Sequence, residues 1–506
     1  MTTTVTVTQP VSVTVTKMFE WYCVDATNGN DANTGTTADP WKTIDKVNSS
    51  TFDMADCVMF KCGETWREQL NIPSSGAAGL PITFSSYGTG DKPKIYGSNV
   101  PASWTQESAL YYTAQTVDPL YIWFIATDTT IHNGNKVAAK GDLAADYDWW
   151  WDDPNDRLYI YAASDPLARY TSVEVCTPAR TRGIFWTGSG NSNITVNNFE
   201  IAFITGVALV ARGDNWIITN NHIHHLGNQA GGHSYGVELQ TGINSYVGYN
   251  TIYEMYRAGI YVVASYTPYI STGHIVEHNT VYNCAAALLL ANTEALTDTF
   301  TTTIIRYNHF YHEAGYSIGA GNGYGIDLVG QSGHVLDGYQ IYYNVVYSQK
   351  RAINVYDYAT NIIVYNNTIK SISGIAGLYV SGTGTSGITI KNNIVLDAAT
   401  YGLDILDSTA ITACDYNLWY CPTGTVYAVV NGSSYHSNDF AAYQAATGFD
   451  TNGKWENPVT VSASDLHLQT TSPAKNAGVN VGLSLDYDGI TVPQGAAPDM
   501  GAYEYH

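Results

Sequence analysis

The sequence predicts an all-β protein whose chain winds into a parallel β-helix of about ten or more coils. An Asn followed by a short alternation of apolar residues recurs nine times, at spacings of 23 to 36 residues. About ten residues later each repeat carries a second strand of the form Gly-apolar-x-apolar or Ala-apolar-x-apolar, and most repeats carry a third. Three short strands of period two, without a helical period of 3.6, are typical of one β-helix coil. The repeated asparagines are Asn198, Asn221, Asn250, Asn279, Asn308, Asn344, Asn367, Asn393 and Asn417.

The repeated asparagines are expected to have a structural role. Their side-chain amides can hydrogen-bond from coil to coil where the chain turns a corner, while apolar residues stack inside the helix. Hairpin turns at two to five residues, which a β-sandwich or propeller would need, do not fit these spacings.

Composition excludes several functional classes. Of the 506 residues, 45% are hydrophobic and only 13% are charged, and Asp and Glu outnumber Lys and Arg by 44 to 22. The resulting net charge of −22 argues against binding to nucleic acid or to anionic lipid, because both require basic patches. The longest apolar runs are far shorter than the roughly 20 residues that span a bilayer. Neither a nucleic acid nor a membrane is therefore expected as a partner.

Two segments depart from the repeat. Residues 1–20 alternate Val and Thr around Pro10, which predicts an extended strand that packs on a neighbour or on a second copy in a homo-oligomer. These residues contain no basic stretch followed by an apolar one, so no secretory signal is visible. Residues 101–180 are rich in Trp and Tyr and predict a small β insertion near the amino-terminal end of the helix. The seven cysteines are scattered and are expected to be free, buried thiols.

Both ends of the chain resemble a known superfamily. The stretches Tyr22–Gly35, Pro40–Ile44 and Phe60–Arg67 look like the opening module of the right-handed parallel β-helix proteins of the pectate-lyase-like kind. Ser472–Gly478 and Pro498–Glu504 are similar to the carboxy-terminal closure of many such proteins. The resemblance implies a right-handed helix with an amino-terminal module at 21–100, central coils at 181–420 and a closure at 421–506. It does not fix the reaction, because polysaccharide lyases, glycoside hydrolases, epimerases and phage tailspike-type depolymerases share the fold.

A groove along the side of the helix is the predicted site. The coils that start at Asn221, Asn250, Asn279 and Asn308 exceed the 23-residue minimum by 6 to 13 residues, which predicts loops beside the Gly-apolar-x-apolar strands between about residues 222 and 358. The x position of each strand should point outward into solvent, because both its neighbours point inward. These x positions are Ala208, Glu238, Tyr261, Leu289, Asp327, Asn354, Tyr379 and Asp404.

Asp327 is the leading catalytic candidate because it lies midway along the long coils. Glu238, a second candidate, is three coils away, or about 14 Å at the backbone. Carboxylate pairs in glycoside hydrolysis lie about 5–5.5 Å apart in retaining enzymes and about 6.5–9.5 Å apart in inverting ones. A partner for Asp327 must therefore come from an adjacent coil or a loop, and the sequence does not choose among Glu294, Glu313 and Asp357.

A second group lies at the corner before these strands. Counting four residues on from successive asparagines places His225 beside Glu254, with Arg257 nearby and His312 two coils further on. Such a group could perform acid–base chemistry or hold a substrate carboxylate, and it could equally be a salt-bridged stack. No His-x₃₋₅-His pair with a Cys or Asp partner accompanies it, so no transition-metal site is predicted.

Cations and aromatic rings complete the set of candidates. Lys350 and Arg351 are what a lyase would use to neutralise a uronate carboxylate, with Asn354 on the same strand. A polyuronate would be repelled by the net charge unless Ca²⁺ bridged it, and Asp25, Asn28, Asn30 and Asp31, or Asp486 and Asp488, could bind Ca²⁺ or simply form Asx turns. Flat rings suited to sugars include Tyr261 and Tyr356.

The sequence thus predicts a polysaccharide-degrading enzyme, a glycoside hydrolase that needs no cofactor, or at most Ca²⁺. A Ca²⁺-assisted polysaccharide lyase or uronate epimerase is the alternative enzyme. A non-catalytic glycan-binding protein, such as a viral tailspike acting as a trimer, is the alternative of a different class. In each case the protein would be extracellular or virion-associated.

Overall fold

The computed structural model describes residues 20–227, 234–264, 270–291, 299–313, 323–347, 350–370, 374–421 and 426–506. The chain forms a right-handed parallel β-helix, as the sequence predicts, and one parallel sheet of twelve strands runs along its length. The strands of this sheet are Trp21–Val24, Cys57–Lys61, Ile82–Tyr87, Ile194–Asn197, Trp216–Thr219, Tyr246–Gly248, Ile275–Glu277, Ile304–Arg306, Gln340–Tyr342, Ile363–Tyr365, Ile388–Lys391 and Ile411–Asp415.

Two further faces of the helix belong to one sheet of 21 strands. They are joined because Thr251–Val262 and Thr280–Ala291 each continue around the corner from one face to the other. The corner face contains Thr65–Trp66, Lys94–Tyr96, Glu200–Ala202, His222–Leu226, the first halves of the two long strands, His309–Tyr311, Val345–Tyr347, Thr368–Lys370, Ile394–Leu396 and Leu418–Tyr420.

The other face of this sheet is called the site face below, because it carries the x positions. Its strands pair in parallel apart from the last one, which pairs antiparallel. They are Leu70–Asn71, Arg182–Phe185, Val207–Ala211, Tyr235–Leu239, the second halves of the two long strands, Tyr324–Val329, Arg351–Tyr356, Ala376–Val380, Tyr401–Ile405, Val426–Val430 and Ser433–His436.

The remaining strands of the described residues form three smaller sheets. A five-stranded parallel sheet consists of Gly242–Ile243, Ile270–Thr272, Thr299–Thr301, Leu336–Asp337 and Ala359–Thr360. The insertion contributes two mainly antiparallel sheets. One contains Ser98–Asn99, Tyr121–Ala126, Ile131–Asn133 and Tyr170–Cys176, and the other contains Thr105–Glu107, Leu110–Ala114, Asn135–Lys136, Asp148–Asp152 and Arg157–Tyr161.

Helical structure is scarce among the described residues. The α-helices are Ile44–Asn48, Pro166–Arg169 and Phe440–Thr447, and the 3₁₀ turns are Lys140–Asp142, Asp153–Asn155 and Ser408–Ala410. None of these helices has the length and apolar character that crossing a membrane requires. All seven cysteines are free, with Cys57 and Cys62 partly exposed and the other five buried.

Apolar side chains fill the inside of the coils in stacked rows. Val237, Ile260, Leu288 and Ile326 are partners on consecutive strands and are completely buried. Leu239, two residues after Val237, is 1% exposed and belongs to the same core. The predicted inward phase of these strands is therefore confirmed.

A continuous ladder of buried asparagines lines one corner. The Oδ1 atom of each accepts the backbone N–H and the side-chain amide N–H of the asparagine one coil earlier, at 2.9–3.1 Å. The ladder ends at Asp450, whose Oδ1 accepts both donors of the last asparagine. Its members are Asn221, Asn250, Asn279, Asn308, Asn344, Asn367, Asn393 and Asn417.

Asn198 does not belong to this ladder, so this part of the prediction was wrong. Phe199 takes the ladder position one coil before Asn221, and its backbone N–H donates to Asn221 Oδ1 at 3.0 Å. Asn198 lies one residue too early and instead donates to the Ser86 hydroxyl at 2.7 Å. The offset arises because the chain enters the ladder with an aromatic side chain in the buried position.

Replacement of a central ladder residue should destabilise the whole helix. We expect Asn308→Ala to lower the free energy of unfolding by about 2–6 kcal/mol, because two buried N–H donors of Asn279 lose their acceptor at about 1–3 kcal/mol each. Denaturant unfolding followed by circular dichroism measures this change. Asn438→Ala, at an exposed position outside the ladder, is the matched control and should unfold like the parent. Equal midpoints for the two variants would contradict a structural role for the ladder.

Candidate functional site

The x positions of the site face form one straight row, called the outer row. Pairing of consecutive strands aligns Glu238, Tyr261, Leu289, Asp327, Asn354, Tyr379 and Asp404. Ala208 is not part of the row. Val210 is the partner of Glu238, and the Ala208 side chain is buried in the core, so the prediction for the first strand was off by two residues.

Asp327 lies at the centre of a polar network on this face. Asn354 Nδ2 donates to Asp327 Oδ1 at 2.6 Å, and Arg351 Nη1 donates to Asn354 Oδ1 at 3.0 Å. Asp327 is 7% exposed, so the expectation of a solvent-exposed acid was wrong. The amide and guanidinium groups of the next strand occupy the space that solvent would otherwise take.

Burial changes the acidity of Asp327. Loss of solvation raises the pKa of its carboxyl group to about 6, although the Asn354 hydrogen bond and the charges of Arg351 and Arg257 act in the opposite direction. The carboxyl group is therefore half protonated near pH 6 and about one-tenth protonated at pH 7, whereas an ordinary Asp is almost fully ionised at both.

Arg351 joins the network to aromatic rings. Its guanidinium carbon lies 4.0 Å from the centroid of the Tyr379 ring and 5.9 Å from that of Tyr324. Its Nε atom is buried and has no hydrogen-bond partner among the described residues. Tyr356, on the same strand, stacks against Tyr379 at 6.4 Å and is 41% exposed, so it offers the open ring face of the cluster.

Asp404 is the second buried acid of this network. Burial raises the pKa of its carboxyl group, and the charge of Arg351 opposes this effect. Its Oδ1 atom is buried and unpaired within the described part of the chain. Three strand spacings separate Asp327 from Asp404, which corresponds to about 14 Å between backbones. Arg351 lies between them and interacts with both carboxyl groups.

The three partners that the sequence offered for Asp327 are placed differently. Glu313 exchanges two hydrogen bonds with Asn283, at 2.9 and 3.0 Å. Asp357 accepts a hydrogen bond from the Ser381 hydroxyl. Glu294 lies outside the described residues, as do 231–233, 266–269, 294–298 and 315–322, which make up most of the predicted loops. Asp404 is a predicted member of the outer row, but it was not a candidate partner because the sequence predicted that partner on an adjacent coil or a loop.

Glu238 occupies a separate environment on the same row. Gln240 Nε2 donates to its Oε1 at 3.0 Å, and burial raises the pKa of the carboxyl group. Tyr261, which stacks on Tyr235 at 4.4 Å, and Leu289 stand between Glu238 and Asp327. The side chains of Tyr261 and Leu289 are buried in a hydrophobic cluster, and no hydrogen bond among the described residues joins Glu238 directly to Asp327.

Three further candidates surround the Asp327 network. Arg257 is exposed, and its charge lowers the pKa values of Asp327 and Tyr235. Lys350 is also exposed and directly precedes Arg351. His312 Nε2 is 2.9 Å from the Cys284 carbonyl oxygen, and burial, followed by the nearby Lys350 charge, lowers the pKa of its ring.

The corner group forms a second cluster, called the histidine cluster. His225 Nε2 is 2.8 Å from Glu254 Oε2, and His225 Nδ1 is 2.7 Å from His224 Nδ1. On its other side, His224 Nε2 is 3.5 Å from Glu200 Oε1. The sequence shows His222, His224, His225 and His233 as a group of histidines, for which no metal site was predicted, and Glu200 was missed because its contact with them depends on the register between two coils.

Glu200 has a further contact on the opposite side. The Tyr96 hydroxyl donates to Glu200 Oε1. His222, on the same strand as His224, is partly buried, and burial lowers its pKa to about 4. The histidine cluster also lies against the insertion, since the Trp123 ring meets the His225 ring edge-to-face at 5.0 Å.

The possible Ca²⁺ ligands bind the local backbone. Asp25 Oδ1 accepts the backbone N–H groups of Thr27 and Asn28, and Asp31 Oδ1 accepts those of Lys42 and Thr43. The Asp25 bonds are typical of an Asx turn, whereas the Asp31 bonds join it to backbone 11 and 12 residues later in the chain. Asn30 Oδ1 and Asp486 Oδ1 also accept backbone N–H groups, and Asp488 Oδ2 pairs with His467 at 2.6 Å.

Comparison with known proteins agrees with this architecture. Residues 157–337 match the family described as "Right handed beta helix region". No curated protein matches the sequence.

Several solved structures superimpose on most of the chain at low sequence identity. XylC in complex with xylose is 16% identical, covers 83% of this chain and 77% of its own, and has a TM-score of 0.52. A structure described as a glycoside hydrolase is 10% identical, covers 75% of this chain and 94% of its own, and has a TM-score of 0.54. The GH136 lacto-N-biosidase from Eubacterium ramulus is 14% identical, covers 87% and 67%, and has a TM-score of 0.50. At these identities the likeness establishes the fold alone, and the chain is a right-handed parallel β-helix protein.

Proposed function

We propose that the protein binds a polysaccharide along the site face and hydrolyses its glycosidic bonds at Asp327. The observation that carries this proposal is the buried carboxyl group of Asp327, with a pKa of about 6, on the outward side of a sheet. A general acid works best when its pKa lies near the working pH, because it must both hold and release a proton. An ordinary exposed Asp, with a pKa near 4, would be ionised at neutral pH and could not protonate a leaving group.

Asn354 determines which oxygen of Asp327 carries the proton. Because Asn354 Nδ2 donates to Oδ1, that oxygen acts as an acceptor, and the proton resides on Oδ2. The glycosidic oxygen of a bound chain would therefore receive its proton from Oδ2. Arg351 holds the amide of Asn354 in this orientation by donating to its oxygen.

Asp404 is the proposed general base. Its Oδ1 atom is unpaired within the described part of the chain, and bound substrate must admit the attacking water to this buried atom for it to act as the base. The backbone separation of about 14 Å excludes the retaining distance of about 5–5.5 Å. The same separation also exceeds the inverting distance of about 6.5–9.5 Å, so the inverting arrangement requires both carboxyl groups to lean toward each other along the row. The charge of Arg351 acts on both of them.

The surroundings of the network suit a sugar chain. The exposed ring of Tyr356 offers an apolar face on which a pyranose ring can stack. The exposed Arg257 can bind hydroxyl or carboxylate groups of the substrate. Two of the solved neighbours carry the names of a glycoside hydrolase and a lacto-N-biosidase, and a third was solved with xylose, which supports a carbohydrate ligand.

The second candidate is β-elimination from a polyuronate, or epimerisation of a uronate. Arg351 and Arg257 both act on the carboxyl group of Asp327, so the network is more cationic than the chain as a whole. These arginines and Lys350 could neutralise a substrate carboxylate, with Ca²⁺ offsetting the net charge of −22. A tailspike-like protein that binds glycans without cleaving them would use the same face.

The reaction type has a direct test. We expect digestion of a panel of neutral and acidic polysaccharides to yield reducing ends without an increase in absorbance at about 235 nm, because only elimination creates a conjugated double bond. Proton NMR of the first products should show the inverted anomer. Absorbance that rises with product would support the lyase, and binding without any product would support a glycan-binding protein.

Asp327→Asn should separate activity from stability. We expect turnover to fall by about 10²–10⁴-fold, the usual effect of losing a proton-transfer group. We also expect the variant to be as stable as the parent at pH 7.5, or more stable by up to about 3 kcal/mol. The parent must bury an ionised group whose pKa is raised from 3.8 to about 6, and each pKa unit corresponds to about 1.4 kcal/mol.

The raised pKa of Asp327 makes the stability of the parent depend on pH. Between pH 3.8 and about 6 the folded parent binds more protons than the unfolded chain, so its stability from this group falls as pH rises through that window.

The control for the loss of turnover is Glu238→Gln, which changes a buried acid on the same row outside the network and should retain turnover. Loss of turnover in Glu238→Gln with normal turnover in Asp327→Asn would reject the assignment.

Arg351 should set the pH range of the reaction. Because its charge favours ionisation of Asp327, Arg351→Met should raise the pKa of that carboxyl group. The activity lost as pH rises above about 6 in the parent should then be lost at a higher pH in the variant. A profile of kcat/KM against pH measures this shift, and an unchanged alkaline limb would show that Asp327 does not supply the proton.

A further inference from the structure

Two neighbouring strands of the corner face bring a carboxylate and two imidazoles together on one side. Glu200 and His222 are direct partners, and His224 follows His222 by two residues, so it projects to the same side. One ligand atom from each of the three residues lies within 4.8 Å of the others. The group is separate from Asp327 and its network.

With both imidazoles neutral, this cluster has one hydrogen fewer than its side-chain contacts need. The chain Glu200–His224–His225–Glu254 has three contacts between side chains, and each needs a hydrogen or a cation between its two atoms. Two neutral imidazoles supply only two hydrogens. At 2.7 and 2.8 Å, the contacts of His225 with His224 and Glu254 have the length of hydrogen bonds and take both.

In the third contact, between His224 and Glu200, the lone pairs of the nitrogen and the oxygen then repel each other. His224 Nε2 directs its lone pair at Glu200 Oε1, 3.5 Å away. This distance exceeds the usual N–H···O length of about 2.9–3.0 Å. Lys92 and Lys94, from the preceding coil, act on Glu200 through their charges, but their ammonium groups contact Asn198, the Asn220 carbonyl and Asp91. A cation between the imidazole and the carboxylate would relieve the repulsion.

We propose that Glu200, His222 and His224 bind a divalent transition metal ion, with Zn²⁺ as the preferred metal. Zinc bonds of about 2.0–2.1 Å to nitrogen and about 2.0–2.2 Å to oxygen place two tetrahedral ligands about 3.3–3.5 Å apart. The Glu200–His224 distance of 3.5 Å fits this edge. Two His and one Glu are also a ligand set that zinc uses when it keeps a fourth position open for water or a substrate group.

The neighbouring side chains hold these ligands in the required state. With Glu254 ionised and His225 neutral, His225 Nε2–H donates to Glu254 and His225 Nδ1 accepts from His224 Nδ1–H, so His224 presents Nε2 without a hydrogen. The Tyr96 hydroxyl donates to Glu200 and fixes its carboxylate. Because Trp123 of the insertion packs on His225, the bound metal would lie where the insertion meets the coils.

Metal titration of the intact protein tests this site. The full chain is treated with a chelator, exchanged into metal-free buffer at pH 7.5 and titrated with Zn²⁺ in a calorimeter, with the bound metal counted by mass spectrometry. We expect about one equivalent per chain, and an affinity at least about 100-fold weaker in His222→Ala. Co²⁺ in place of Zn²⁺ should produce the visible absorption bands of a tetrahedral site.

Two further variants make the result decisive. His309→Ala changes a histidine on the same row of strands, three strands further on, and should bind Zn²⁺ like the parent. Glu200→Gln provides a second ligand variant if His222→Ala does not fold. Absence of saturable binding in the folded parent, or parent-like affinity in both ligand variants, would overturn the proposal and leave a proton as the missing charge.

Discussion

The asparagine ladder is the constraint on which the rest of the molecule depends. A buried amide offers both donors and an acceptor, and each ladder side chain uses them on the preceding and following coils and on nearby carbonyl groups. No other register between coils would satisfy these groups, because a shift by one residue would bury an apolar side chain against an unpaired amide. The carboxylate of Asp450 is a suitable end for the ladder, since it only accepts hydrogen bonds and needs no further coil.

The fixed register gives the site face its chemistry. Residues about 25 apart in the sequence become neighbours at the strand spacing, so that Asp327, Asn354 and Asp404 share one row although 77 residues separate the first from the last. The rigid coils hold Arg351 between the two acids. Such an arrangement costs stability, because charged and polar atoms are buried without full compensation on the outside of the sheet. Unpaired polar atoms of this kind are suited to bind a ligand that supplies the missing partners.

On the corner face, too, the register between coils brings polar side chains from different strands together. His222 and His224 lie on one strand, Glu200 on the strand before, and Glu254 on the strand after, so a chain of polar contacts crosses three coils. Trp123 and Phe203 cover it from the side of the insertion. The insertion therefore has a defined role in the structure, since it shields a polar cluster that would otherwise face solvent.

The sequence by itself determined the architecture and the phase of its strands. The period of 23 to 36 residues predicted the coils. Leu239 and Ile326 point inward as predicted, and seven of the eight predicted outward positions lie on one row. These features follow from periodic patterns, which survive in the sequence because every coil repeats the same packing. Only the tertiary structure decided the burial of Asp327, the selection of Asp404 and the meeting of Glu200 with the histidines. Each of these depends on side chains from other coils, and on local offsets such as those at Asn198 and Ala208, which leave no periodic signal in the chain.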